Sequence, residues 1–106
     1  MRRVMVRYKV KPERVEEHEA LIRAVFDELA RTAPAGLRYG TFKQPDGLSF
    51  VHFALVAAEP NPLNALAAFQ AFTARVTERC DEPPVTVVLT ELGSYGFDGG
   101  AGSSKT

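Results

Sequence analysis

Two histidines, His18 and His52, are the side chains of this chain that titrate near neutrality, and each falls in an apolar setting. His52 sits in the middle of "SFVHFALV" (Ser49 to Val56), with apolar neighbours on both sides. Burying an unpaired imidazole costs roughly a few kcal/mol, so such a residue needs a hydrogen-bond partner. An imidazole in a pocket can act as a base that removes a phenolic or carbon-bound proton. The plainer alternative is a core histidine whose ring is satisfied by packing partners. His18 faces the same choice. Read functionally it is a base or donor in a cleft; read plainly it is a boundary residue reaching solvent past a helix end, and the plain reading is adopted. The hydroxyls of Tyr8 and Tyr39 can orient an aromatic ligand, and Phe50, Phe69 and Phe72 can wall it. Each of these aromatic residues also suits an ordinary core.

The elements that position them follow from periodicity. In "VMVRYKV" Val4, Val6, Tyr8 and Val10 fall on one face and Met5, Arg7 and Lys9 on the other, which predicts a strand. "KPERVEEHEALIRAVFDELARTAPAG" then shifts to helical spacing, with Val15, His18, Ile22, Val25 and Leu29 on one stripe. Pro12 suits the first turn, and "APAG" ends the helix. "LRYGTFK" and "LSFVHFALV" read as two strands joined by the turn "QPDG". "NPLNALAAFQAFTARVTERC" reads as a second helix capped by Asn61, ended by "DEPP" and followed by the strand "VTVVLTEL". The order β-α-β-β-α-β predicts an α+β, ferredoxin-like fold: a four-stranded antiparallel sheet with two helices on one face. Residues 1–97 form the single expected domain, and the Gly/Ser-rich residues 98–106 are expected to be a disordered tail.

The third strand carries apolar residues on both faces, Phe50, His52, Ala54 and Val56 against Val51, Phe53 and Leu55. An antiparallel sheet with one free face should show a polar row there. The missing row predicts that a second copy covers the face, giving a homodimer through the sheet. His52 then has two open placements. On the helix side it shares a cleft with His18, Phe50 and Tyr8; on the other it joins Met5, Arg7 and Lys9 at the dimer centre. The cleft is the placement adopted, although the row Val51, Phe53 and Leu55 would suit the helices well.

Other classes find little support. Lys plus Arg balances Asp plus Glu at 13 each, so no electrostatic case for nucleic acid exists. No apolar run approaches the ~20 residues of a membrane span, and the first residues alternate instead of forming a leader. The single cysteine, Cys80, agrees with a cytoplasmic location. Next to Arg79 but assigned to a helix C-terminus, it is not read as a nucleophile. Two histidines without ligand-spaced Cys or carboxylates predict no metal site, and no phosphate-binding glycine loop occurs.

With these elements placed, the chain resembles the dimeric α/β-barrel proteins of the antibiotic biosynthesis monooxygenase superfamily over residues 4–97. The resemblance rests on "YKVKPERVEEHEALI", "AGLRYGTFKQPDGLSFVHFAL", "LAAFQAFTARV" and the closing "ELGSYGF". It implies two subunits whose sheets close into a barrel, helices outside, and a ligand cleft between sheet and helices. It also implies a cofactor-independent monooxygenase-like activity on a small aromatic or polyketide-like substrate, with His52 and His18 as candidate catalytic groups and Tyr8, Tyr39, Phe50, Phe69 and Phe72 as substrate contacts. A non-catalytic dimer that binds a small apolar ligand and a non-oxidative isomerase or cyclase are the alternatives on the same fold. Haem-degrading members are a poorer match, because this chain lacks tryptophan, an asparagine on strand one and a histidine on helix two.

Overall fold

A computed structural model describes residues 1–97; the tail expected over 98–106 lies outside the described residues. Strand β1 (Arg2–Val10) leads through a short 3-10 turn (Pro12–Arg14) into helix α1 (Val15–Thr32). Ala33 closes α1 in the left-handed conformation, its N–H donating to the Leu29 carbonyl at 2.8 Å. Gly36 follows at φ +77°, where a Cβ would come within 2.8 Å of Ala58 Cβ, so this turn needs glycine twice over.

Strands β2 (Leu37–Lys43) and β3 (Ser49–Val56) form the expected hairpin. Asp46 organises the turn. Its carboxylate accepts from the Leu48 and Ser49 backbone N–H groups and from the Ser49 hydroxyl at 2.6–2.9 Å. Those bonds pull the Asp46 carboxyl down to about 2, the Ser49 hydroxyl contributing most.

The second helix differs from its sequence reading. A 3-10 turn (Pro62–Ala65), capped by the Asn61 side chain, comes first. Leu66 then turns extended, and helix α2 covers only Ala67–Ala74. Leu66 has no capping side chain, so Glu28 of α1 supplies one: its carboxylate accepts from the Ala68 N–H at 2.8 Å. A second 3-10 turn (Thr77–Arg79) follows, and strand β4 runs Cys80–Val88. "DEPP" therefore lies inside a strand instead of ending a helix. The sheet order β2-β3-β1-β4 explains why: β4 is an edge, where Pro83 and Pro84 need not donate to a neighbour. The register also shifts between Arg7 and Val10. Cys80 is thus a strand residue, and its thiol pKa is raised by burial, not by a helix terminus.

All neighbouring strands pair antiparallel. The resulting α+β, ferredoxin-like sheet carries α1 and α2 on one face. Between them and the sheet lie Tyr8, Val10, Val25, Phe50, Phe72 and Cys80, all buried. Among the described residues, no helix is long and apolar enough to cross a membrane.

Candidate functional site

The central strands β1 and β3 place the site. Val6 lies opposite His52 and Tyr8 opposite Phe50, so residues two apart on each strand share the helix-side face. His52 belongs to that face, with its ring 5.6 Å from that of Phe72 on α2. The alternative placement in a barrel interior is excluded by this register.

Six polar side chains from five elements form one largely buried network. Arg79 Nε donates to His18 Nδ1 at 3.0 Å. His18 Nε2 lies 2.7 Å from the Tyr8 hydroxyl, which lies 2.6 Å from His52 Nε2. His52 Nδ1 in turn meets the Tyr39 hydroxyl at 2.6 Å and Thr41 Oγ1 at 3.0 Å. Arg79 is further held by donating from Nη2 to the Phe72 carbonyl at 2.6 Å, with its guanidinium 5.5 Å from the Phe72 ring centre. Among the described residues no carboxylate pairs with Arg79, and no buried side-chain polar atom lacks a partner.

Burial sets the protonation states. It lowers both imidazoles to about 4, with the Arg79 charge adding to the effect on His18, and His18 adding to that on His52. Both are therefore neutral at pH 7. Burial raises the Tyr8 phenol and takes Tyr39 up to about 12, against a hydrogen bond from Thr41 that favours the phenolate. Both tyrosines hold their protons at neutral pH.

The chain opens on a cleft of about 550 Å³ between the sheet and the α2 side. Tyr8, Tyr39 and His52 border it, and Phe69 and Phe72 of α2 line it opposite. The sequence candidates thus divide. Tyr8, Tyr39, His52, Phe69 and Phe72 meet at the cleft. Phe50 and His18 do not border it: Phe50 stacks on Tyr8 at 5.7 Å, and His18 stands behind the Tyr8 hydroxyl. His18 is fully buried, so the boundary position expected for it is wrong. A helix stripe shows that a residue faces the sheet; the packing of Phe50 and Phe72 against its ring, at 4.9 and 5.2 Å, closes the route to water. Arg79 and Thr41 were not expected. Arg79 lies seven residues beyond Phe72, a spacing that would share a face in the longer helix read from the sequence, and that spacing was the available signal.

No family model matches the chain, and no curated protein matches it. Solved structures do. One, described as an antibiotic biosynthesis monooxygenase, aligns with TM-score 0.71 at 18% identity, covering 88% of this chain and 100% of the other. The fold is that of the antibiotic biosynthesis monooxygenase structures. Rv0793 from Mycobacterium tuberculosis aligns with TM-score 0.70 at 23% identity, over 88% of this chain and 96% of its own. A variant of SnoaB from Streptomyces nogalater, described as a cofactor-independent oxygenase, aligns with TM-score 0.64 at 15% identity, over 90% and 96%. The ferredoxin-like α+β fold expected from the sequence is thus shared with structures of that name.

Proposed function

We propose that the protein is a member of the antibiotic biosynthesis monooxygenase superfamily that oxygenates a small aromatic or polyketide-like substrate without metal or flavin. The observation that carries this reading is the cleft itself. It is walled by Phe69 and Phe72, and it ends on two phenol hydroxyls joined through His52. Apolar walls accept a ring system, and converging hydroxyls hold an oxygen substituent. A ring-activated CH2 group that has lost a proton to solvent passes one electron to O2. The radical pair then joins at carbon to give a peroxide anion, which takes a proton back from solvent, and the hydroperoxide loses water. The net change, CH2 + O2 to C=O + H2O, needs no outside reductant. The residues contribute by binding the ring, excluding water and stabilising the developing charge. His52 enters as the group that orients Tyr8 and Tyr39, since both its ring nitrogens are engaged by them and by Thr41. His18 acts behind Tyr8.

The reading is tested by O2-dependent turnover of an anthrone panel in metal-free buffer. His52→Ala is expected to lower the rate about a hundredfold, as for removal of a preorganised donor. Equal rates would take His52 out of the mechanism. Absence of product with every anthrone, from a folded wild type, would overturn the oxygenase reading. A second reading, a ligand-binding protein without turnover, is favoured by one observation: every buried side-chain polar atom among the described residues already has a hydrogen-bond partner. Tight anthrone binding without product would select it.

The open sheet face supports a homodimer. Phe42 and Phe53 are 58% and 41% exposed there, with ring centres 6.2 Å apart. Contiguous apolar surface of this kind marks an interface. Sedimentation of the wild type as a monomer at micromolar concentration would contradict the dimer.

A further inference from the structure

The buried chain has a direction, and Arg79 sets it. An arginine Nε always carries a proton and never accepts one. His18 Nδ1, which receives it, must therefore be the bare nitrogen of a neutral ring. The His18 proton then sits on Nε2 and is donated to the Tyr8 oxygen. With its oxygen accepting from His18, the one Tyr8 proton is directed to His52 Nε2, 2.6 Å away. His52 consequently carries its proton on Nδ1 and donates it toward Tyr39 and Thr41. Tyr39 therefore receives a hydrogen bond from inside, and its own proton is left for the cleft it borders.

We propose that Arg79 fixes the direction of hydrogen bonding in this chain, so that Tyr39 presents a proton to the cleft and the cleft takes its aromatic ligand as an anion, a phenolate or enolate. His52 is then no base toward that ligand, because its one lone pair is occupied by Tyr8. Arg79 is a positioning residue: it does not border the cleft and acts through four other side chains. The buried guanidinium, unpaired by any carboxylate among the described residues, adds a positive field of the same sense. The charged groups bordering the cleft are Arg2 and Glu59, one of each sign and both exposed, so neither side of the rim dominates. The proposal deepens the function above by naming the ionic form of the ligand, and it rests on the same cleft being the ligand site, though not on turnover.

Two measurements test it. The chain has only two histidines, so nitrogen-15 spectra of the imidazoles resolve each tautomer. At pH 7 the expected result is opposite tautomers: Nε2–H for His18 and Nδ1–H for His52. Arg79→Gln should release the His52 preference and Arg79→Lys should restore it. A wild-type His52 protonated on Nε2 would overturn the proposal, and this reading needs no variant to fold. The second measurement uses 4-nitrophenol, whose neutral and anionic forms absorb differently. Its pKa should fall by about one to two pH units on binding, the worth of a hydrogen bond to a charged group. Tyr39→Phe should abolish most of that fall. A pKa raised on binding, or an unchanged fall in Tyr39→Phe, would overturn the proposal. Failure of the phenol to bind would remove the anion-selective cleft together with the function read from it. Binding as the anion without turnover would remove only the oxygenase reading.

Discussion

Phe50 and Phe53 lie three residues apart on β3 and meet opposite surroundings. Phe50 is 2% exposed, stacked on Tyr8 and edge-on to His18. Phe53 is 41% exposed, and the ring beside it, Phe42, is more exposed still. One face of the sheet is closed by its own helices and encloses a polar chain; the other is apolar and open. The difference teaches that apolar content does not distinguish a core from an interface. What distinguishes them is whether the chain supplies its own cover.

The sharpest way to break that comparison is truncation on each face. Phe50→Ala should destabilise the protomer by about 3–5 kcal/mol, as loss of a buried aromatic ring does. Val51→Ala, its half-buried neighbour on the open face, should cost under about 1 kcal/mol in the protomer. Equal midpoint shifts in urea unfolding would show that the two faces are not energetically distinct.

A further effect is expected from acid. Both histidines titrate near 4 in the folded state and near 6.5 when unfolded. Between those values the unfolded chain binds more protons, so stability rises with pH and is lost as pH falls from about 6.5 through 4. Urea titrations at pH 7, 5.5 and 4.5 should show this decline, with up to two protons taken up on unfolding. The Asp46 carboxylate adds a separate loss only below its unfolded value near 3.8. A flat profile between pH 7 and 4.5 would show that the two rings are not held neutral inside.

The smallest effect on the protomer is expected from Phe53→Asp. It should leave urea unfolding of the protomer within about 1 kcal/mol while abolishing association measured by sedimentation. Unchanged association would move the interface away from this face.

Much of the fold was legible because periodicity reports it directly. Alternation in "VMVRYKV" and three-and-four spacing around His18 each predict an element that the structure contains. The hairpin was legible in Pro45-Asp46-Gly47, where Asp46 ties the turn to Ser49. Helix α2 was read too long, because apolar spacing continues through Leu66 and Cys80 while the backbone does not. Its N-terminus depends on Glu28, forty residues earlier, and local sequence carries no such information. The extent of β4 was missed for a related reason. Proline looks like a terminator unless its strand is known to lie at an edge.

The site shows the same division. The residue types needed for the cleft, Tyr8, Tyr39, His52, Phe69 and Phe72, were evident in the sequence, as was the apolar stretch around His52. Two features needed the fold. The side of the sheet that His52 faces follows from its pairing with Val6 and Thr41, and a shift of one residue would reverse it. The link between His18 and His52 exists only because Tyr8 comes between them from a third element, with Arg79 at the far end. Sequence alone determined that this chain forms an antiparallel sheet under two amphipathic helices, because side-chain periodicity is a local property of the backbone. Tertiary structure alone decided that a guanidinium, two imidazoles and two phenols form one directed chain, because hydrogen bonds of under about 3 Å between distant segments depend on packing that no local pattern records.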